Sequence, residues 1–124
     1  MNITPKLLEI IYNIQQKYDF IYLGGSTALI LQNAIPPREI SDVDLISTQK
    51  INISTIFDRP QTHPRQRTLI FEEIKFELFR NPKAQYVLLN GIKLSPIEEI
   101  FEWKSTSSHE KHVNDQINRY TKRI

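Results

Sequence analysis

The sequence contains no cysteine, only three glycines and a single methionine among its 124 residues. Without cysteine the chain can form no disulfide, no cysteine-ligated zinc site and no catalytic thiolate, a composition that suits a reducing compartment. No apolar run approaches the length of about 20 residues that spans a bilayer. The first residues also lack the charged segment and apolar run of a signal peptide. We therefore expect a cytoplasmic protein with no membrane partner.

The sequence also lacks a strong charge imbalance, since its formal net charge is only +2. That value permits contact with nucleic acid but does not argue for it. Charged residues make up 24% of the chain and hydrophobic residues 40%, which is ordinary for a globular protein. The length is sufficient for one hydrophobic core, so we expect a single domain over residues 1–124.

Hydrophobic periodicity and turn residues predict the element order α-β-α-β-ββ-ββ-α-α. Strands in the middle of the chain with helices packed on them indicate an α/β or α+β domain, a mixed β-sheet flanked by helices. The predicted elements are a helix over 5–18, a strand over 20–23, a helix over 27–33 capped by Ser26, a strand over 42–47, a surface loop over 57–67, a hairpin turning near Glu72 and Glu73, a hairpin turning at Asn90 and Gly91, a helix beginning near Ile97 and a last helix after Ser107.

Gly24, Gly25 and Ser26 stand between the first strand and the second helix. A glycine pair lets the backbone approach a ligand closely, and the N–H groups that begin a helix attract anions. The following residues match neither a Walker loop nor a dinucleotide fingerprint. The stretch therefore indicates either a phosphate-binding turn or simply a tight strand-to-helix connection with a serine cap.

Asp42 and Asp44 lie one residue apart in an otherwise hydrophobic strand, so their side chains point to the same face. Neighbouring carboxylates raise each other's pKa unless cations compensate, and Mg²⁺ prefers such oxygen ligands. Glu77 alternates with an apolar face in a later strand and can join them if the strands pair. A phosphate-binding turn followed by these three acids is the layout of two-metal phosphoryl chemistry. The alternative is solvated acids at strand ends.

These motifs resemble the DNA polymerase beta-type nucleotidyltransferase superfamily. The stretch GGSTALIL, followed by PPREISDVDLIS, is most similar to small prokaryotic branches, which include abortive-infection toxins and minimal nucleotidyltransferases. IKFELF resembles the strand of the third acid, and LSPIEEIFEWK resembles a stretch that ends in a family lysine, here Lys104. HEKHVNDQI is a looser match to a final-helix signature, with Lys111 and Asp115.

The resemblance implies a minimal nucleotidyltransferase fold and transfer of a nucleoside monophosphate from an NTP to an acceptor hydroxyl. It implies two Mg²⁺ or Mn²⁺ ions as cofactors and an acceptor that is RNA such as tRNA, a protein or a small molecule. It also allows a role in a toxin–antitoxin or defence system with a protein partner chain. The implied catalytic and metal residues are Asp42, Asp44 and Glu77, and the implied nucleotide-binding residues are Gly24, Gly25, Ser26, Arg38 and Lys104.

Several alternatives stay open on the sequence alone. Aspartate is commoner than glutamate at the third acid, and the final-helix signature is partial. The domain can also be a catalytically silent or nucleotide-binding partner module, or its two aspartates can belong to a glycosyltransferase. Trp103 is interpreted as a core or rim residue. The basic residues of the loop and the tail form either an RNA-binding surface or solvated segments: Arg59, Arg65, Arg67, Arg119, Lys122 and Arg123.

Overall fold

The computed structural model describes residues 2–105 of the chain. The helix and the site residues Lys111 and Asp115 predicted beyond Ser105 lie outside these described residues. Within them the elements, in chain order, are α1 (Pro5–Lys17), β1 (Ile21–Leu23), α2 (Gly25–Leu31), β2 (Val43–Ser47), α3 (Ile53–Ile56), β3 (Thr68–Phe71), β4 (Ile74–Arg80), β5 (Val87–Leu89), β6 (Ile92–Leu94) and α4 (Ile97–Ser105).

The described strands form one mixed sheet in the order β3-β4-β2-β1-β6-β5. The pairs β2–β4 and β1–β6 are parallel, whereas β1–β2 and the two hairpins are antiparallel. Helix α1 packs against β1 and β6, and α2 packs against β2 and α4. The predicted fold class, a mixed β-sheet flanked by helices, is confirmed.

Local sequence accounts for most of the element boundaries. Thr4 caps α1 by accepting a hydrogen bond from the N–H of Leu7, and Pro5 is the first helical residue. Glu72 and Glu73 join β3 to β4 with positive φ angles of 54° and 66°. Asn90 and Gly91 join β5 to β6 in the same left-handed conformation. Turns of this kind match the twist of paired strands, so both predicted hairpins form.

The two faces of the central strands differ in chemistry. Val43 and Leu45 of β2, with Phe76 and Leu78 of β4, are buried in the hydrophobic core. The alternate residues of both strands therefore point away from that core. Parallel pairing in register places Asp44 directly opposite Glu77 on this second face. The polar residues therefore lie on the face of the sheet opposite to the one that packs in the hydrophobic core.

One local prediction is wrong, and one short element was missed. Helix α2 begins at Gly25 with Gly24 as its N-cap, so Ser26 is a first-turn residue and not the cap. The short helix α3 was not predicted, because four residues are too few to show a helical period. None of the described helices is long and apolar enough to cross a bilayer.

Candidate functional site

The site is centred on the carboxylate of Asp44. The pKa of Asp44 is raised from 3.8 to about 7, chiefly by burial and next by the negative charge of Glu77 on the neighbouring strand, with a smaller effect from Asp42. The ammonium of Lys104 acts in the opposite direction and lowers this pKa. Asp44 is therefore a half-buried acid whose charge is only partly compensated near neutral pH.

Gly25 explains how the chain brings backbone against that carboxylate. Its φ is +61°, a conformation that favours glycine, and any Cβ at this position would overlap the carboxylate of Asp44. The N–H of Gly24 donates to the carbonyl oxygen of Asp44 at 2.9 Å. A Cβ on Gly24 would lie 3.0 Å from Cγ1 of Ile46. Gly25 is thus required by the close contact between this turn and β2, and Gly24 leaves little room for a side chain.

Two cations converge on the hydroxyl of Ser26. Nη2 of Arg38 donates to Ser26 Oγ at 2.6 Å, and Nζ of Lys104 lies 3.4 Å from the same oxygen. Lys104 is only 3% exposed although it carries a charge. Such a buried ammonium beside a guanidinium and a hydroxyl is suited to an anion with several oxygen atoms.

Most of the predicted site residues line one cavity of about 280 Å³. Gly24 lines neither this cavity nor its larger neighbour, and Gly25 lines only the neighbour. The predicted residues that the smaller cavity brings together are Ser26, Arg38, Asp42, Asp44, Glu77 and Lys104. The arrangement places an acidic wall beside a cationic wall, as a phosphate ester with a bound cation would require.

The carboxylates themselves are not drawn together around a common point. Within residues 2–105, no group of three or more histidine, cysteine, aspartate and glutamate side chains is placed to hold a metal ion. Asp42 instead has Nζ of Lys75 at 3.8 Å from its Oδ1. The donor chemistry and the shared strand face of the three acids fit Mg²⁺ or Mn²⁺. Metal binding by Asp42, Asp44 and Glu77 stays a prediction.

Sequence reasoning missed the aromatic border of the site. Phe79 and Trp103 line both the small cavity and a larger one of about 890 Å³, and their ring centroids lie 5.6 Å apart. Trp103 is 58% exposed, so it is a rim residue rather than a core residue. Phe79 could have been found from its position two residues after Glu77, on the same strand face.

Comparisons with known proteins agree with this architecture at the level of fold. No protein-family model matches the chain, and no curated protein is similar to it in sequence. The crystal structure of a candidate nucleotidyltransferase from Thermotoga maritima is similar to it with a TM-score of 0.58. The likeness covers 98% of this chain and 96% of that one at 15% identity. The predicted nucleotidyltransferase fold is thereby confirmed, while membership of the superfamily and of any branch of it stays a prediction.

We predict that Asp44 makes the fold less stable as the pH rises toward neutrality. The pKa of Asp44 is about 7 in the folded chain, against an ordinary value of 3.8, so the folded state binds the proton more tightly. The contribution of the protonated Asp44 to the stability of the fold is therefore complete below pH 3.8 and is lost as the pH rises through the folded-state pKa of about 7. Asp44→Asn should abolish a loss on the order of 2–3 kcal/mol between pH 5 and pH 7.

Urea denaturation without metal at a series of pH values measures this difference. Asp58→Asn is the matched control, because Asp58 is 79% exposed and pairs with Lys17 at the surface. That variant should keep the pH dependence of the unaltered protein. Parallel stability curves for the unaltered protein and Asp44→Asn would show that Asp44 is not protonated near neutral pH.

Proposed function

We propose that the protein is a metal-dependent nucleotidyltransferase that moves a nucleoside monophosphate from an NTP to an acceptor hydroxyl. The observation that carries the proposal is the half-buried Asp44, which faces Glu77 across the parallel strands and shares a cavity with Ser26, Arg38 and Lys104. An acidic wall and a cationic wall in one cavity are what a nucleotide–cation complex needs. The fold shared with a candidate nucleotidyltransferase supports the same class.

The cationic wall would hold the triphosphate. Ser26 Oγ accepts a hydrogen bond from Arg38 and lies 3.4 Å from Nζ of Lys104. Phosphate oxygens placed there would contact two positive groups and a hydroxyl. The backbone of Gly24 and Gly25 would lie beside the β- and γ-phosphates, as the resemblance implies. Holding the β- and γ-phosphates in this way would orient the α-phosphorus for attack, with no covalent bond between the protein and the nucleotide.

The acidic wall would hold the cations and accept the proton of the acceptor. Asp42 and Asp44 would bind both ions, and Glu77 would bind the ion nearest the acceptor. When bound, Mg²⁺ or Mn²⁺ neutralises charge that develops on the phosphoryl oxygens. Glu77 would help remove the hydroxyl proton as the acceptor oxygen bonds to the α-phosphorus. The bond from that phosphorus to the bridging oxygen breaks, and pyrophosphate leaves.

A partner module of a toxin–antitoxin-like complex is the second candidate. Strand β5 lies at an edge of the described sheet, and its residues Val87, Leu88 and Leu89 are all exposed, Leu88 by 63%. Apolar edge strands are surfaces on which other chains can pair. In this alternative the carboxylates bind a nucleotide or nothing, and the transfer assay below gives no product.

We predict that Asp44→Asn abolishes transfer while the fold persists. The amide removes a negative ligand from the acidic wall but also relieves repulsion with Glu77. Transfer from each α-labelled NTP in the presence of Mg²⁺ or Mn²⁺ and cell lysate should fall by about a hundredfold or more. Asp58→Asn should transfer at the unaltered rate. Near-normal transfer by Asp44→Asn would place the reaction elsewhere.

Lys104→Met is predicted to weaken NTP binding rather than unfold the chain. Methionine retains the apolar stem that lies buried in α4 but removes the ammonium beside Ser26. Loss of one charged contact should raise the Kd for Mg²⁺·ATP about tenfold or more, measured by calorimetry. Lys83→Met changes an exposed lysine outside both cavities and serves as the control. An unchanged Kd for Lys104→Met would remove Lys104 from the nucleotide site.

A further inference from the structure

The outer edge of β5 is apolar, and no other strand of the described residues pairs with it. Residues 2–105 leave seven large hydrophobic side chains exposed, and four of these are consecutive at this edge: Tyr86, Val87, Leu88 and Leu89. Leu88 is the most exposed of the four, at 63%. Apolar side chains gathered around unpaired backbone groups form a surface on which another β-strand can pair.

The β5–β6 hairpin determines which backbone groups of β5 face outward. Leu89 pairs with Ile92 beside the turn, and Val87 pairs with Leu94. Hydrogen-bonded and non-hydrogen-bonded pairs alternate along an antiparallel ladder, and the pair that closes a two-residue turn is hydrogen-bonded. The N–H and C=O groups of Leu88 therefore point away from β6 and toward the open edge.

No charged side chain protects this edge. Residues 84–92 contain no charged residue. Lys93 follows them but is directed inward, since its Nζ donates to the carbonyl oxygen of Asp19 at 2.9 Å. The same Nζ lies 4.9 Å from the centre of the Tyr86 ring. The backbone and side chains that β5 presents to solvent are thus electrically neutral.

The opposite edge of the sheet is different. Strand β3 is preceded by Arg67 and followed by Glu72 and Glu73, so charges stand at both of its ends. Charged residues of this kind are a common protection against pairing between exposed edges. Of the two edges of the described sheet, only the one at β5 lacks this protection.

The continuation of the chain begins far from β5. The carboxylate of Glu99 in α4 accepts a hydrogen bond from the N–H of Gln85, but the ring of Trp103 farther along α4 packs on Phe79 of β4. Residues 106–124 follow this end of the helix, and β4 lies four strand spacings, or about 19 Å, from β5. This position favours an occupant from another molecule over the chain's own continuation.

Strand β5 is complementary to a second copy of itself. In an antiparallel pair with a two-fold axis at Leu88, this residue faces Leu88 of the second copy, and Val87 faces Leu89. Every cross-strand pair is then apolar, and the outward N–H and C=O groups of the two Leu88 residues bond to each other. A symmetric pair places like charges opposite each other if the strand is charged, which the neutral segment avoids. An acidic or basic partner would find no opposite charge on it.

We propose that two copies of this chain form a dimer in which β5 pairs antiparallel with β5 of the second copy. The described strands of the two copies then make one continuous sheet. Residues 86–89 line neither cavity, so both candidate sites stay open in the dimer. The dimer goes beyond the proposed transfer reaction and does not depend on it.

Sedimentation equilibrium of the full chain over a range of concentrations tests this association. The interface is small, so we expect a Kd on the order of 10–100 µM. Leu88→Lys should raise this Kd at least about tenfold, because two ammonium groups would face each other at the axis. Ile70→Lys is the matched control, since Ile70 is 69% exposed on β3 at the opposite edge and its replacement should leave the Kd unchanged.

An exchange of charges tests the register. Leu88→Glu alone should dimerise as weakly as Leu88→Lys, whereas an equimolar mixture of the two should associate, because residue 88 faces only residue 88. Association of the mixture also shows that both variants are folded. In the unaltered protein, the Leu88 amide should exchange more slowly with solvent as the protein concentration rises. The Ile70 amide, which the β3–β4 hairpin also directs outward, should not.

Three outcomes would overturn the dimer: a monomer at concentrations up to about 1 mM, equal weakening by Leu88→Lys and Ile70→Lys, or no association of the mixed lysine and glutamate variants. A monomer would leave the β5 edge to a different protein. Leu88→Lys should bind Mg²⁺·ATP with the Kd of the unaltered protein. Failure of the transfer reaction would therefore leave the dimer standing, and loss of the dimer would leave the proposed function standing.

Discussion

Burial of the Asp44 carboxylate is the constraint around which the polar face of the sheet is arranged. The turn before α2 passes so close to it that Gly25 can carry no side chain, and Glu77 adds a second negative charge from the neighbouring strand. Lys104 opposes this cost from α4 and, with Arg38, reaches Ser26. An apolar strand retains such an acid at a free-energy cost, so a cationic ligand that neutralises it would stabilise the fold.

The sequence predicted the pieces of this arrangement that depend on local pattern. Alternation in β2 and β4 requires Asp44 and Glu77 to point away from the buried side chains of Val43 and Phe76. The left-handed turns at Glu72–Glu73 and Asn90–Gly91 follow from hairpin geometry. The sequence leaves open whether β2 and β4 pair; once they do, the register that buries their apolar residues places Asp44 opposite Glu77.

The features that depend on tertiary packing could not be predicted. The glycine pair predicts either a phosphate-binding turn or a tight connection, and no local pattern shows that Gly25 also makes room for Asp44. Nothing in the local sequence indicates that Trp103 borders two cavities, because its position depends on how α4 packs against the sheet. The larger cavity is lined by residues up to 78 positions apart in the sequence, from Gly25 to Trp103. The periodicity within one helix or strand cannot predict contacts between residues that far apart in the sequence.

The most direct test of the account is the pKa of Asp44 measured by NMR from the carboxyl carbon, with Asp44→Asn used to assign the resonance. Without ligands this pKa should be about 7. On addition of Mg²⁺ and a non-hydrolysable NTP analogue it should fall by about one unit or more, because cations favour the charged carboxylate. A pKa near 7 that neither Mg²⁺ nor the nucleotide changes would contradict the claim that this buried acid holds a nucleotide–metal complex.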